Sequence, residues 1–227
     1  MKKGREPDEP AQHGRPECEV LLLGGIANAG HVVRVGDTVR RPQRSWSAAT
    51  HTLLRHLEAV GFEGAPRFLG TDSQGREVLS YIPGTAVVEP YPDWALSDEA
   101  LVSVAELLRA YHDAASTFDA SPHSWAPSPP EGFVGDIVTH NDINLDNVVF
   151  RDGRAVALID FDLAGPGTRA WDVACAAEAG SIPSAARRFA LFSACHCMAS
   201  SARGMVLKDQ SFAKAACPLA AFLLIRR

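Results

Sequence analysis

Apolar and polar residues are distributed in short segments along the first eighty residues. Five short apolar stretches, separated by turn-forming residues, are typical of β-strands and cover residues 20–23, 31–35, 38–41, 67–69 and 77–82. Between the third and the fourth, Leu53, Leu54 and Leu57 recur at helical spacing within residues 47–60. The pattern predicts a five-stranded sheet with one helix, forming a front lobe over residues 19–84.

The pattern changes in the second part of the chain. Residues 85–96 carry prolines and aromatic residues without a period, which predicts a connection to a back lobe over residues 85–227. Ser97 then precedes two acidic residues, which predicts the start of a helix. The apolar stripe of that helix comprises Leu101, Val104, Ala105, Leu108 and Tyr111. Two further strands form a predicted hairpin and comprise residues 148–150 and 155–159.

Charge and composition exclude several classes of protein. The 22 basic and 27 acidic residues give a net charge of −5, whereas proteins that bind nucleic acid through its phosphates carry a basic surplus. No apolar run approaches the roughly 20 residues of a membrane-spanning helix. Residues 1–18 are polar and rich in proline, so we expect a flexible tail without a signal peptide, and a cytoplasmic protein.

The cysteines are expected to be free thiols. There are five, an odd number in a chain with no export signal, which argues against a disulfide framework. Cys195, His196, Cys197 and Cys217 lie close to the C-terminus. Their spacing lacks the paired cysteines of structural zinc sites, so free thiols are expected there as well.

One polar segment carries the candidate chemistry. In the loop 140–147, His140, Asp142 and Asn147 follow the pattern H-x-D-x-x-x-x-N, and Asp160 follows the second strand of the predicted hairpin. The hairpin returns the chain so that Asp160 can face the loop across a cleft. Phosphoryl transfer to a hydroxyl needs such a set: a carboxylate that orients the hydroxyl and accepts its proton, next to oxygen ligands for Mg²⁺.

These residues resemble the catalytic segment of the aminoglycoside phosphotransferase and choline kinase family. The resemblance rests on HNDINLDN from residue 140, on LIDFD over residues 158–162, and on gaps of five and thirteen residues between Asp142, Asn147 and Asp160. It covers residues 20–180 and implies an α+β, protein-kinase-like two-lobe fold, with a β-rich front lobe and a mainly helical back lobe. It also implies a kinase that transfers phosphate from ATP to a hydroxyl of a small molecule.

The resemblance assigns a role to each residue of the segment. Asp142 would be the catalytic base, and His140 would brace the loop. Asn147 and Asp160 would bind Mg²⁺, and Asp162 would reach a second ion or a metal-bound water. Asp172, at the expected start of a helix, would cap that helix or hold the catalytic loop.

The front lobe departs from the family. Kinases hold the α and β phosphates with a lysine on the third strand and hold that lysine with a glutamate on the next helix. This chain has no lysine between residues 4 and 207. Arg40 is the first candidate for the position and Arg41 the second. The only acid over residues 45–60 is Glu58, which comes too late for the usual partner, and Thr50 or His51 lies nearer that place.

Two interpretations of the missing lysine remain open: a general preference for arginine in this sequence, and a weakened nucleotide site. The remaining contacts to ATP are expected from a glycine-containing loop and from the hinge. Gly24 and Gly25 would cover the phosphates with backbone amides. Adenine would lie against Ser80, Tyr81 and Ile82 and contact mostly their backbone.

The acceptor site is expected in the helices that follow Asp172. Only 55 residues remain after that position, fewer than the family uses, so we expect a truncated back lobe. The net negative charge suits a cationic acceptor such as an aminoglycoside or an amino alcohol. Two alternatives stay open: a non-catalytic kinase-like binding or immunity protein, and an inactive fragment of a longer kinase.

Overall fold

A sheet-based front lobe and a mixed back lobe face each other across a cleft in the computed structural model, which describes residues 18–22, 30–126 and 132–178. The front lobe contains helix α1 (Ser47–Ala59). Its strands are β1 (Val20–Leu21), β2 (Val33–Val35), β3 (Thr38–Arg41), β4 (Phe68–Thr71) and β5 (Glu77–Ser80). They pair antiparallel in the order β1-β2-β3-β5-β4. The five predicted strands and the helix are thus confirmed, with ends shifted by a few residues.

The register between β3 and β5 determines which side chains of the sheet face the cleft. Val39 lies opposite Leu79, and Arg41 lies opposite Glu77. Residues two apart on a strand share a face of the sheet, so these four side chains lie on one face. Arg40 lies on the other face. The cleft is therefore lined by an apolar pair and bordered by a charged pair from the same two strands.

Over residues 85–126 and 132–178, the back lobe combines two small sheets with two α-helices. The strands are β6 (Thr85–Ala86), β7 (Ile137–Thr139), β8 (Val148–Arg151), β9 (Arg154–Leu158) and β10 (Gly165–Gly167), and the helices are α2 (Asp98–Ala115) and α3 (Arg169–Glu178). Strands β6, β8 and β9 form one sheet, and β7 pairs with β10. Ser97 caps α2 as predicted, because its Oγ accepts a hydrogen bond from the Ala100 N–H at 3.2 Å.

Three strands of the back lobe, β6, β7 and β10, lie where the sequence predicts none. Strand β6 falls in the segment expected to be irregular, and it pairs with β8 of the hairpin. Strand β10 has the sequence Gly-Pro-Gly, a composition typical of a turn. For β6 and β10, pairing with a distant strand decides the conformation, and no local pattern reports such pairing.

The two lobes share one hydrophobic core. Leu53, Leu54 and Leu57 of α1 pack in the same cluster as Leu108 and Tyr111 of α2. The cluster also contains buried residues that flank the catalytic segment, namely Val138, Ile143, Val148, Leu158 and Phe161. A backbone hydrogen bond of 2.9 Å, from the Leu158 N–H to the Gly64 carbonyl, joins the lobes directly. This core holds the two walls of the cleft in a fixed relation.

Several predictions fall outside the described residues: most of the N-terminal tail, the loop with Gly24 and Gly25, and the chain from residue 179 with its four clustered Cys and His residues. Cys18 and Cys175 are described and are free thiols. Within the described ranges, none of the helices has the length and apolar character needed to cross a membrane.

Candidate active site

A cavity of about 310 Å³ lies in the cleft between the lobes. Its walls are mainly apolar and include Leu22, Val32, Val39, Leu79, Ile82, Val149 and Ile159. Its polar end is formed by Arg41 from the front lobe and by Asn147 and Asp160 from the back lobe. A narrow apolar slot with a cation and oxygen ligands at one end can receive a flat ring system that carries a charged group.

The predicted hinge residues Ser80, Tyr81 and Ile82 all line this cavity. The Tyr81 N–H already donates to the Asp37 carbonyl at 2.8 Å, and Pro83 has no N–H. Ile82 is therefore the residue of this stretch whose backbone N–H is left to bind a ligand, since no described residue accepts from it. The hinge then turns at Gly84, where a Cβ atom would come within 2.6 Å of the Phe150 carbonyl oxygen.

Arg41, not Arg40, lies at the polar end of the cavity. Its guanidinium contacts three carboxylates: Nε donates to Glu77, Nη1 donates to Asp160 at 2.7 Å, and Nη2 lies 2.8 Å from an oxygen of Asp162. Burial alone lowers the pKa of Arg41, but the three negative charges outweigh this effect and raise it above the ordinary value. The arginine is therefore charged at every accessible pH.

The prediction for Arg40 is corrected by this arrangement. The Arg40 side chain lies on the opposite face of β3, where its Nη1 is 3.7 Å from Asp72, and it does not line the cavity. The alternation of side chains along a strand explains the exchange, because Arg41 shares a face with the cavity residue Val39. This periodicity was readable in the sequence and favours the second candidate over the first.

The acid that holds the arginine comes from the sheet and not from α1. Glu77 of β5 is 1% exposed, and its second oxygen lies 2.5 Å from Nε2 of His51 on α1. Sequence reasoning missed Glu77, because 36 residues separate it from Arg41 and nothing local reports their pairing. It named Thr50 or His51 as the helix residue nearer this place. The structure puts His51 against Glu77, whereas Thr50 lies by the Phe161 carbonyl.

The catalytic loop places Asp142 beside Asn147. The Asn147 Nδ2 donates to the Asp142 backbone carbonyl at 2.9 Å and lies 3.0 Å from its carboxylate. A carbonyl oxygen can only accept, so the amide nitrogen must face Asp142, and Oδ1 points away. Among the described residues nothing donates to this Oδ1. Asn147 lines the cavity, and its free oxygen is available there as a ligand.

The environment of Asp142 makes its carboxylate more basic than it would be in water. Burial raises the pKa of Asp142, and although the nearby His140 opposes this, the negative charge of Asp160 adds to it and the pKa stays above its ordinary value. A carboxylate with a raised pKa is a stronger base than one in water. Asp142 is thus suited to accept a proton from a hydroxyl.

His140 and Asp172 support the loop from below. His140 is fully buried, and its Nε2 lies 3.0 Å from the Ile159 carbonyl, next to Asp160. Asp172 accepts hydrogen bonds from the backbone N–H groups of His140 at 2.9 Å and Asn141 at 2.8 Å. The second of these residues has a φ of 66°, a strained conformation that the carboxylate holds in place.

The oxygens around the cavity fit one divalent ion. Asp160 uses Oδ1 for Arg41, and no described residue donates to its Oδ2, which together with Asn147 Oδ1 leaves two oxygen ligands. Mg²⁺ keeps several waters and is usually bound by one or two carboxylates and substrate phosphates. The described residues contain no cluster of three His, Cys, Asp or Glu that could hold a metal, so the nucleotide would have to supply further ligands.

Asp162 lies apart from these two ligands. One of its oxygens is 2.8 Å from Arg41 Nη2, and the other is 3.4 Å from Arg44 Nε. Its backbone carbonyl accepts a hydrogen bond from the Trp46 indole at 2.7 Å. Asp162 does not line the cavity. The geometry therefore brings Asn147 and Asp160 together. Asp162 instead pairs with Arg41 of β3 and with Arg44, which precedes α1.

Comparison with known proteins gives a family match over part of the chain and a fold. Residues 134–194 match the model of the phosphotransferase enzyme family. The trifolitoxin immunity protein of Rhizobium leguminosarum bv. trifolii is 39% identical over 153 residues, which cover 65% of this chain and 56% of that protein. The chain therefore spans little more than half the length of this relative.

Two solved structures share the architecture. A choline/ethanolamine kinase family protein from Mesorhizobium loti has a TM-score of 0.56 at 17% identity, covering 82% of this chain and 70% of its own. An aminoglycoside-3'-phosphotransferase of type VIII has a TM-score of 0.54 at 17% identity, covering 86% and 90%. The chain thus has the protein-kinase-like fold of these two structures, and its residues 134–194 are similar to the phosphotransferase enzyme family.

Proposed function

We propose that this protein transfers the γ-phosphate of ATP to a hydroxyl group of a small molecule. The observation that carries the proposal is the convergence of Arg41, Asn147 and Asp160 at one end of an apolar cavity, with Asp142 held against Asn147 at 3.0 Å. A cation, two oxygen ligands and a basic carboxylate are the groups that phosphoryl transfer requires of a protein.

The nucleotide would enter with its base in the apolar part of the cavity. There the Ile82 N–H can donate to a ring nitrogen, and the phosphates would reach Arg41. Asn147 and Asp160 would hold Mg²⁺, which neutralises charge on the phosphate oxygens. The guanidinium adds a fixed positive charge on the side of the front lobe.

Asp142 would orient the acceptor hydroxyl and accept its proton. As the proton moves to the Asp142 carboxylate, the hydroxyl oxygen forms a bond to the γ-phosphorus, and the bond from that phosphorus to the bridging oxygen of ADP breaks. The hydrogen bond from Asn147 holds the carboxylate beside a residue that lines the cavity. A cationic acceptor of the aminoglycoside or amino-alcohol class fits an active site with this many carboxylates.

Asp142→Asn provides the direct test. This change keeps the shape and removes the base, so phosphate transfer should fall by at least 100-fold while binding of ATP with Mg²⁺ stays within about twofold of the wild type. Transfer is measured as labelled product from γ-labelled ATP with a panel of amino alcohols and aminoglycosides. Asp113→Asn, on the exposed side of α2, is the control. Full transfer by the Asp142→Asn variant would contradict the proposal.

A second candidate is a non-catalytic immunity or binding protein. It is favoured by the 39% identity to the trifolitoxin immunity protein. Sensitive cells that express this chain and are exposed to trifolitoxin separate the candidates. Protection that persists in the Asp142→Asn variant supports the binding protein, whereas protection that this variant loses supports phosphate transfer.

A further inference from the structure

The charged group at the phosphate end of the cavity depends on residues that no ligand in the cavity can touch. Arg41 lines the cavity, but Glu77 and His51 do not. Glu77 is nevertheless buried directly opposite Arg41 in the sheet, and its Oε1 accepts from the Arg41 Nε at 2.5 Å. Whatever Glu77 does for a bound nucleotide, it does through Arg41.

Both oxygens of Glu77 are held. One bonds Arg41 of β3 and the other lies 2.5 Å from Nε2 of His51 on α1. The His51 ring is itself stacked on Phe68 of β4, with 3.7 Å between ring centroids. The carboxylate therefore has one orientation, fixed from two sides, and it fixes the Nε edge of the guanidinium in turn.

This anchor determines which edge of the guanidinium faces the cleft. With Nε bonded to Glu77, the two Nη groups contact Asp160 and Asp162, and Asp160 lines the cavity together with Arg41. Without the bond to Glu77, only Asp160 and Asp162 would determine the orientation of the guanidinium. A planar guanidinium binds phosphate through an oriented pair of N–H groups, so its orientation controls its affinity.

We infer that Glu77, with His51 behind it, is the positioning residue that aims Arg41 at the phosphates, so that strand β5 takes the part that the glutamate of the helix plays in other kinases. The inference rests on the proposed nucleotide site. Helix α1 offers no acid of its own for this purpose, because its Glu58 side chain is 52% exposed and lies 3.8 Å from Arg67.

Binding of ADP with Mg²⁺ and of adenosine, measured by titration calorimetry on the full chain, tests the inference. Glu77→Gln should weaken ADP binding about tenfold, the loss expected when one charge-assisted hydrogen bond is removed, and should leave adenosine binding within about twofold. Glu58→Gln, the matched control, should change neither. Combined with Arg41→Met, Glu77→Gln should cause no further loss of ADP affinity, because the residue acts only through the arginine.

Equal losses for ADP and adenosine would show that Glu77 only maintains the structure, and they would overturn the inference. If the wild type binds ADP and Glu77→Gln binds it equally well, the inference is also overturned. This result would leave the proposed function intact. A wild type that binds no ADP would overturn both. If Glu77→Gln does not fold, Glu77→Asp, which retains the charge but withdraws it by one methylene group, is measured in the same way and against the same outcomes.

Discussion

One guanidinium is surrounded by three carboxylates at the centre of this protein. Arg41 is 6% exposed and contacts Glu77, Asp160 and Asp162. Breaking a buried pair by removing one partner typically costs about 3–5 kcal/mol. The arginine therefore contributes to the stability of the fold as well as to the cavity that it lines.

Arg41→Lys preserves the positive charge and removes the planar set of N–H groups of the guanidinium. A single ammonium group cannot contact three carboxylates in fixed directions, so we expect ADP affinity to fall about tenfold and the free energy of unfolding to fall by about 1–3 kcal/mol. Arg40→Lys, one residue earlier on the other face of β3, should change the free energy of unfolding by less than about 1 kcal/mol and leave ADP affinity unchanged. Equal effects of the two substitutions, measured by calorimetry and urea unfolding, would contradict this role of Arg41.

At this scale the sequence predicts the back-lobe residues of the site better than those of the front lobe. Asp142 and Asn147 precede the β8–β9 hairpin and Asp160 follows it, so local pairing brings them together. The partners Arg41 and Glu77 come from strands with a helix and another strand between them, and their register follows from the whole sheet. The strand period could have selected Arg41 over Arg40, but no spacing rule could have found Glu77.

Helix α3 fastens the catalytic loop to the back lobe through one side chain. Asp172 is fully buried and bonds His112 of α2 at 2.8 Å as well as two backbone N–H groups of the loop. Burial raises the pKa of Asp172, but the hydrogen bond and charge of His112 and the contacts with His140 outweigh burial and hold it below the ordinary value. The carboxylate is therefore ionised in the folded protein.

Asp172→Asn should lower the free energy of unfolding by about 3–5 kcal/mol near neutral pH, because it removes one partner of a buried pair. Asp113→Asn removes an exposed pair with Arg169, whose side chains are 60% and 35% exposed, and should cost less than about 1 kcal/mol. Urea unfolding of both variants measures the difference. A cost for Asp172→Asn no larger than that of the exposed pair would contradict the anchoring role.

The contribution of the Asp172–His112 pair to stability depends on pH. Because the folded-state pKa of Asp172 lies below the unfolded value of about 3.9, its stabilisation is present above that value and is lost as the pH falls through the folded-state pKa. The difference in unfolding free energy between wild type and Asp172→Asn should therefore shrink as the pH falls below about 5. A difference that grows on acidification would mean that the pKa of Asp172 is raised and not lowered.

Elements with strong local signals match their predictions. Helix α2 begins at the cap that Ser97 supplies, and the β8–β9 hairpin turns at Asp152 and Gly153, whose φ angles of 51° and 74° suit a tight hairpin turn. Strands β6 and β10 have no such signal. Each has two or three residues and exists because a distant strand pairs with it, so composition alone assigns both to loops.

The described parts of both lobes pack around a shared main core, and this has a consequence for ligand binding. Side chains of α1 and α2 pack in a single cluster with the strands beneath the cavity, and the cavity draws its lining from both lobes. A ligand that binds there contacts both lobes of one cooperative unit. Its binding free energy should therefore appear in the unfolding of the whole described fold.

Thermal unfolding with ATP and Mg²⁺ tests the central claim of a working nucleotide site most directly. We expect the wild-type Tm to rise by about 5 °C at saturating ATP and Mg²⁺. With ATP and a chelator of the metal, the rise in Tm should be smaller. Asp160→Ala, compared with its own ligand-free Tm, should lose the metal-dependent part of the shift. A well-folded wild type whose Tm does not respond to ATP and Mg²⁺, or an equal shift in Asp160→Ala, would contradict the account.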